Sequence, residues 1–214
     1  LRLALDSDLK SFPTRLTLLP EHLSLDVFVK VWNNPAQSLN FLELLRNSLL
    51  VAGGAALTAV ALGASMAYAF ARFRFSGRKS GLFWLLAGAL LPPVALMTPL
   101  YVLLSAVGIR ASLPGLVVVY TAVAMPFCIW NMRAGFQAVA QELEEAAFLD
   151  GASPWVAFRR VTLPLALPSI AVAGLVAFLA GYTEFAIGWL FVERASNVTL
   201  AMALWGLRSL GTAP

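Results

Sequence analysis

Four stretches free of charged residues limit what this chain can fold into: Asn47–Ala71, Ser80–Ile109, Ala111–Met132 and Val161–Thr183. A helix needs ~20 apolar residues to cross the hydrocarbon core of a bilayer, and each stretch reaches or exceeds that length. Inside hydrocarbon every backbone polar group must be satisfied internally, which leaves helices and closed barrels. A barrel would show short alternating segments, and the sequence has none. Composition agrees, with 60% of the 214 residues hydrophobic and only 12% charged, where a soluble domain carries about 25%. The expectation is an all-α, polytopic membrane protein.

The net charge of +4 does not argue for nucleic acid, because the basic residues sit beside the apolar stretches. That is the pattern of the positive-inside rule. Arg72, Arg74, Arg78 and Lys79 follow the first stretch and place that loop in the cytoplasm. Counting forward, Gly108–Ser112 lies outside and Arg133–Arg160 inside, the latter supported independently by Arg133, Arg159 and Arg160. The chain then emerges outside near Glu184. Phe185–Val192 and Ala195–Leu207 are apolar but too short to span, and Glu193-Arg194 separates them. They read as an external loop dipping towards the membrane.

The expected organisation is an extracytoplasmic segment over residues 1–46, a membrane core over 47–181, and an external or re-entrant loop over 182–214. The core includes a cytoplasmic loop at 133–162. In the first segment Pro13, Pro20 and Pro35 break the chain, Ser24 caps an amphipathic helix over Ser24–Trp32, and His22 reads as an ordinary surface histidine. The first apolar stretch carries Ala55, Ala59, Gly63, Ala67 and Ala71 at every fourth position, either a close-packing face or simply an Ala-rich helix. Gly53-Gly54 also reads as packing. In the second stretch Pro92, Pro93 and Pro99 predict a bent helix, lining a pore or kinked only for packing.

No catalytic, metal or cofactor site is expected. One His and one Cys (Cys128) leave no ligand cluster, and no phosphate-binding loop is present. Intramembrane carboxylate or lysine chains of the kind proton-coupled transporters use are missing, and no internal repeat is visible. If the chain moves solute, the energy comes from a partner, and the chain is not itself an enzyme.

The remaining feature is the bracket Glu145–Pro168, EAAFLDGASPWVAFRRVTLPLALP. It reads as a short acidic helix, a turn at Asp150-Gly151, and a second helix opened by Ser153 as N-cap and Pro154 at N1. Glu142, Glu144, Glu145 and Asp150 crowd the first helix. Arg159 and Arg160 lie near the end of the second, and Trp155 and Phe158 offer apolar anchors. On these residues alone, a docking site and a solvated connecting loop stay equally open.

Glu145-Ala146-Ala147, Asp150-Gly151-Ala152, Phe158 and Leu163-Pro164 resemble, at matching spacing, the EAA motif of ABC-importer membrane subunits. Further stretches resemble the carbohydrate-type permeases, the group that includes the MalG-like maltose subunit. These are Asp6–Lys10, Asn47–Leu50, Ala67–Arg72, Pro99–Tyr101 with Leu103-Leu104, and Gly115. The resemblance implies a type I importer helical bundle in a bacterial or archaeal cell membrane. It also implies that the family's first span lies before Leu1 and its last after Pro214. Implied partners are a dimer of ATP-binding subunits, a second and distinct permease subunit, and an extracytoplasmic solute-binding protein. Within the motif, Gly151 is expected to form the turn, Glu145 and Asp150 polar docking contacts, and Phe158 the apolar anchor.

Two departures stand out. Ala140 replaces a proline usual before the acidic helix, which concerns how that helix starts. Tyr182-Thr183-Glu184-Phe185 replaces the family's Trp-Asn-Glu-Phe. Tyr182 and Glu184 are candidates to touch solute or binding protein, with a solvated interfacial carboxylate as the other reading of Glu184. A sugar is the expected solute. Permeases for amino acids, peptides or oxyanions, an ATP-independent channel or secondary transporter, and a membrane scaffold are the rivals.

Overall fold

The computed structural model describes residues 25–33, 39–192 and 195–210. The expectations for Asp6–Lys10, His22, the Ser24 cap, Pro13, Pro20, Pro35 and Glu193-Arg194 lie outside the described residues. Ten helices follow one another among the described residues, here numbered in chain order. They are α1 (Asp26–Asn33), α2 (Phe41–Arg72), α3 (Arg78–Leu90), α4 (Pro93–Val107), α5 (Leu113–Ala138), α6 (Gln141–Leu149), α7 (Pro154–Leu165), α8 (Leu167–Thr183), α9 (Ala186–Phe191) and α10 (Leu200–Leu210).

Helices α2 and α5 are each long and apolar enough to cross a membrane. The 32 residues of α2 make a rod about 48 Å long. Its start is fixed by Glu43, whose carboxylate accepts from the Asn40 N–H at 2.9 Å, the returning half of a capping box. The small-residue face is real: Ala55, Ala59, Gly63 and Ala67 are buried, and Ala71 half-buried. Along this face Gly54 meets Val117 and Gly63 meets Cys128 and Met132, so α2 and α5 run parallel. Against the same pair α8 runs antiparallel, with Gly181 beside Ala52 and Gly174 beside Val60.

The parallel pair dictates what lies between. The chain leaves α2 at one end of the bundle and must enter α5 at the other, so α3 and α4 together carry it back. The second apolar stretch is therefore a return path, but not the single kinked helix that its prolines predicted. It is two helices meeting at 100°. Pro92 and Pro93 each lack an N–H, and a residue preceding proline is driven out of the helical region. Leu91 and Pro92 are accordingly extended, with ψ of 133° and 131°. Pro99 lies within α4 without ending it.

The fourth stretch is also divided. Pro164 and Pro168 withhold two helical donors, and the axis turns by 71° between α7 and α8, with Ala166 at the corner. The crossing helix is thus Leu167–Thr183, starting six residues later than the charge-free run.

Two buried clusters divide the core between the bundle ends. One joins Leu44, Val51, Leu104, Leu116 and Val119 to Ile187, Phe191 and Met202. The other joins Ala59, Ala67, Phe70, Ile129, Met132 and Phe136 to Ala166 and Ala173. The first cluster takes in part of the segment that the sequence marks as an external or re-entrant loop. That segment contains α9 and α10, whose Phe191 and Met202 are fully buried against α2, α4 and α5.

Candidate coupling site

At the end of the bundle where α2 and α5 finish, the chain doubles back through α6 and α7. The turn between them is determined locally. Gly151 has φ +83°, which a side chain disfavours but glycine accepts. The Gly151 N–H donates to Phe148 O at 3.0 Å and the Ala152 N–H to Ala147 O at 2.9 Å. These two bonds form a Schellman motif, satisfying carbonyls that would otherwise be orphaned at a helix end. Two residues later the Ser153 hydroxyl accepts from the Val156 N–H at 3.4 Å, with Pro154 at the first helical position. Helix stop and helix start fall within four residues, so the turn is short and stiff. Ala140 precedes α6 without a side-chain cap.

Glu144 anchors the bracket from behind. Its carboxylate is buried and bonded on three sides. Arg72 Nε donates to Oε1 at 2.8 Å, Thr162 Oγ1 donates to Oε1 at 2.6 Å, and Tyr68 OH donates to Oε2 at 3.2 Å. The Arg72 guanidinium also donates to Val139 O at 2.8 Å. One carboxylate thereby ties together the end of α2, the start of α6 and the middle of α7. Residues Phe158–Thr162 form a π turn, and Pro164 explains it. A proline ring crowds the carbonyl four residues earlier, and an extra residue in the preceding turn relieves that contact. The π turn also carries Thr162 to Glu144, where it is fully buried.

The residues expected from the motif separate into two groups. Glu145, Ala146, Asp150, Gly151 and Pro164 are exposed, whereas Ala147, Ala152, Phe158 and Leu163 are half-buried. Phe158, the expected apolar anchor for a partner, turns inward. Its ring lies 4.6 Å from Tyr68 and 6.1 Å from Phe136. Beside it a cavity of about 240 Å³ is lined by Ser65, Tyr68, Phe73, Pro154 and Trp155. The apolar groups that face outward most fully at the turn are Leu149, 90% exposed, and Trp155, 66% exposed.

Leu149 and the Glu144 cluster were missed from the sequence. Glu144 and Glu145 are adjacent, so they point about 100° apart on a helix. Nothing in the sequence marks which of these acids meets Arg72, which is one of four basic residues after the first span and lies 72 residues before Glu144.

At the opposite bundle end, Asn47 Nδ2 donates to Ser196 O at 2.8 Å and to Val198 O at 3.0 Å. Ser48 Oγ accepts from the Leu200 N–H at 2.7 Å. This pair therefore fastens the segment before α10. The Glu184 side chain accepts from the Ile187 N–H at 2.8 Å, holding the first turn of α9, and Glu184 also lines a cavity of about 200 Å³ with Tyr120 and Phe127. Tyr182 is half-buried and stacked on Phe178 at 5.7 Å.

Residues 59–209 match the family model described as the binding-protein-dependent transport system inner membrane component. The chain belongs to this family. It is 37% identical over 165 residues to the maltose/maltodextrin transport system permease protein MalG of Escherichia coli (strain K12), which covers 75% of this chain and 56% of that protein. It is 34% identical over 167 residues to the diacetylchitobiose uptake system permease protein NgcG of Streptomyces coelicolor, covering 78% and 54% respectively. This inner membrane component spans just over half the length of those curated relatives. Its fold is similar to a chain of a bacterial ABC transporter involved in the import of the acidic polysaccharide alginate. The TM-score is 0.81 over 100% of this chain and 73% of that one, at 20% identity, a likeness of fold. The all-α architecture is thus that of a type I ABC-importer permease, a multi-pass protein of the inner membrane.

Proposed function

We propose that this inner membrane component is the translocating subunit of an ATP-driven importer, and that its solute is a sugar or oligosaccharide. The observation that carries the coupling is the bracket itself. A stiff turn presents Leu149, Trp155, Glu145 and Asp150 outward, while Glu144, Thr162 and Phe158 fix it to α2 and α5 from within. A partner that grips the outward face moves the inward one, because the buried ion pair and ring contacts leave no slack between them. The grip comes from a dimer of ATP-binding subunits on the cytoplasmic side, the side to which Arg72–Lys79 and Arg133–Arg160 assign the bracket. Polar docking falls to Glu145 and Asp150, and apolar docking to Leu149 and Trp155.

In this reading Phe158 transmits the motion and makes no docking contact. The bends at Pro92-Pro93 and Ala166 let α4 and α8 change angle as the bracket moves, opening and closing a central path shared with a second permease subunit. A binding protein delivers solute at the end built from α9, α10 and Asn47.

The sugar assignment rests on the curated relatives, two of which are named for maltose/maltodextrin and diacetylchitobiose. A ligand screen of the cognate binding protein tests it. A saccharide raising that protein's melting temperature supports the reading; an amino acid, peptide or oxyanion doing so instead refutes it.

A further inference from the structure

The turn joining α2 to α3 holds a charge arrangement that coupling does not use. Between Glu43 and Glu142 the sequence contains no acidic residue at all. Arg74, Arg78 and Lys79 fall within six residues of that interval and, with Phe75, Gly77 and Ser80, line an open depression of about 510 Å³. Among the described residues the ion pair in this region is Arg72–Glu144, which leaves these three cations without a carboxylate. Arg133 lies close enough to Arg78 for the two charges to repel.

Orientation in a membrane needs basic residues but no particular arrangement of them, and here they are arranged. Gly77, at φ +89°, turns the chain sharply into α3. Phe75 packs on Phe70 at 5.5 Å, holding the turn against α2. The first turn of α3 has neither a side-chain cap nor an acidic residue. The place is also specific, because the charge-free runs end at Ala71 and resume at Ser80, so the depression lies at the water boundary of two spans. Just beyond it Phe83 and Trp84 are 65% and 70% exposed, and no residue of α3 is buried.

We propose that the turn Arg74–Ser80 binds the anionic phosphodiester headgroup of a membrane lipid. Arg74, Arg78 and Lys79 hold the phosphate, and the acyl chains lie along Phe83 and Trp84. Arginine matches the phosphate oxygens in a planar fork, and basic residues near a membrane surface each contribute to anionic-lipid binding. The site does not depend on the identity of the transported solute.

Native mass spectrometry of the full-length protein, released from detergent with phosphatidylglycerol or phosphatidylcholine of identical chains, tests this. Phosphatidylglycerol should be retained preferentially, and Arg78→Gln should lower its retention about fivefold, the contribution of one interfacial cation. Arg78→Gln leaves Arg72, Arg74 and Lys79 to orient the chain. Gly77→Val keeps every charge while distorting the turn, and should lower retention as well. Equal retention of the two lipids, or undiminished phosphatidylglycerol binding in both variants, overturns the site. Displacement of phosphatidylglycerol by millimolar inorganic phosphate overturns the lipid as its occupant.

Discussion

Arg72 Nε lies 2.8 Å from Glu144 Oε1, with the two side chains 10% and 6% exposed. Exposed ion pairs contribute little, but removing one partner of a buried pair strands a charge and costs about 3–5 kcal/mol. Arg72→Met alone and Glu144→Leu alone should each lower the melting temperature and open the bracket to protease. The double substitution should cost less than the sum of the two, because it strands no charge. Thr162→Val should fall between these and the parent, since it deletes a single donor to the same carboxylate, about 1–3 kcal/mol. Thermal unfolding of the four variants in detergent checks the order.

Gly151 has open space around its missing side chain, so any effect of substitution is conformational. A β-branched residue in the left-handed region costs about 1–2 kcal/mol, enough to reshape a turn held by two backbone bonds. Gly151→Val should leave the membrane helices folded while uncoupling ATP hydrolysis from uptake. Proteoliposome uptake and ATPase activity measured on the same preparation separate the two effects. Normal uptake per ATP would refute this account of the turn.

Gly135 packs so closely on Ser169 that a Cβ at Gly135 would collide with the serine side chain. This contact joins α5 to the start of α8, just beyond the Ala166 corner. Gly135→Leu should force the helices apart at a cost of about 1–3 kcal/mol. Pairing it with Ser169→Gly should recover part of the loss. Thermal stability of the single and double variants measures the recovery.

How much of this was legible in the sequence depended on distance along the chain. The turn at Gly151 was legible because its cause is local, a glycine at a helix end followed at once by a serine cap and a proline. The apolar stretches were legible because span length is a simple count, yet Pro92-Pro93 and Pro164/Pro168 divided two of them more sharply than a kink. The Glu144 cluster was not legible, since its arginine lies 72 residues away and only packing reveals which acid of four turns inward. Nor were α9 and α10, which are too short to read as spans, with the segment just before α10 held by Asn47, about 150 residues earlier.

Asn47 supplies a test of sidedness. Asn47→Ala removes two hydrogen bonds to backbone carbonyls of the segment before α10 and should expose that segment. A cysteine at Ser196 should then react faster with a membrane-impermeant maleimide added outside, while a cysteine at Ser76 reacts only from inside. Cys128 is buried and contributes little background. Labelling of Ser76→Cys from outside would reverse the assigned orientation.

The central claim is that the outward face of the bracket seats an ATP-binding subunit. It is tested most directly by co-purification of that subunit with Leu149→Asp and Trp155→Asp forms of the transporter. Both positions are more than half exposed, so neither substitution should lower the melting temperature of the permease itself. The account predicts that the ATP-binding subunit is lost from both variants and that ATP-driven uptake falls with it. Full recovery of the subunit at parental stoichiometry, with uptake intact, would contradict it.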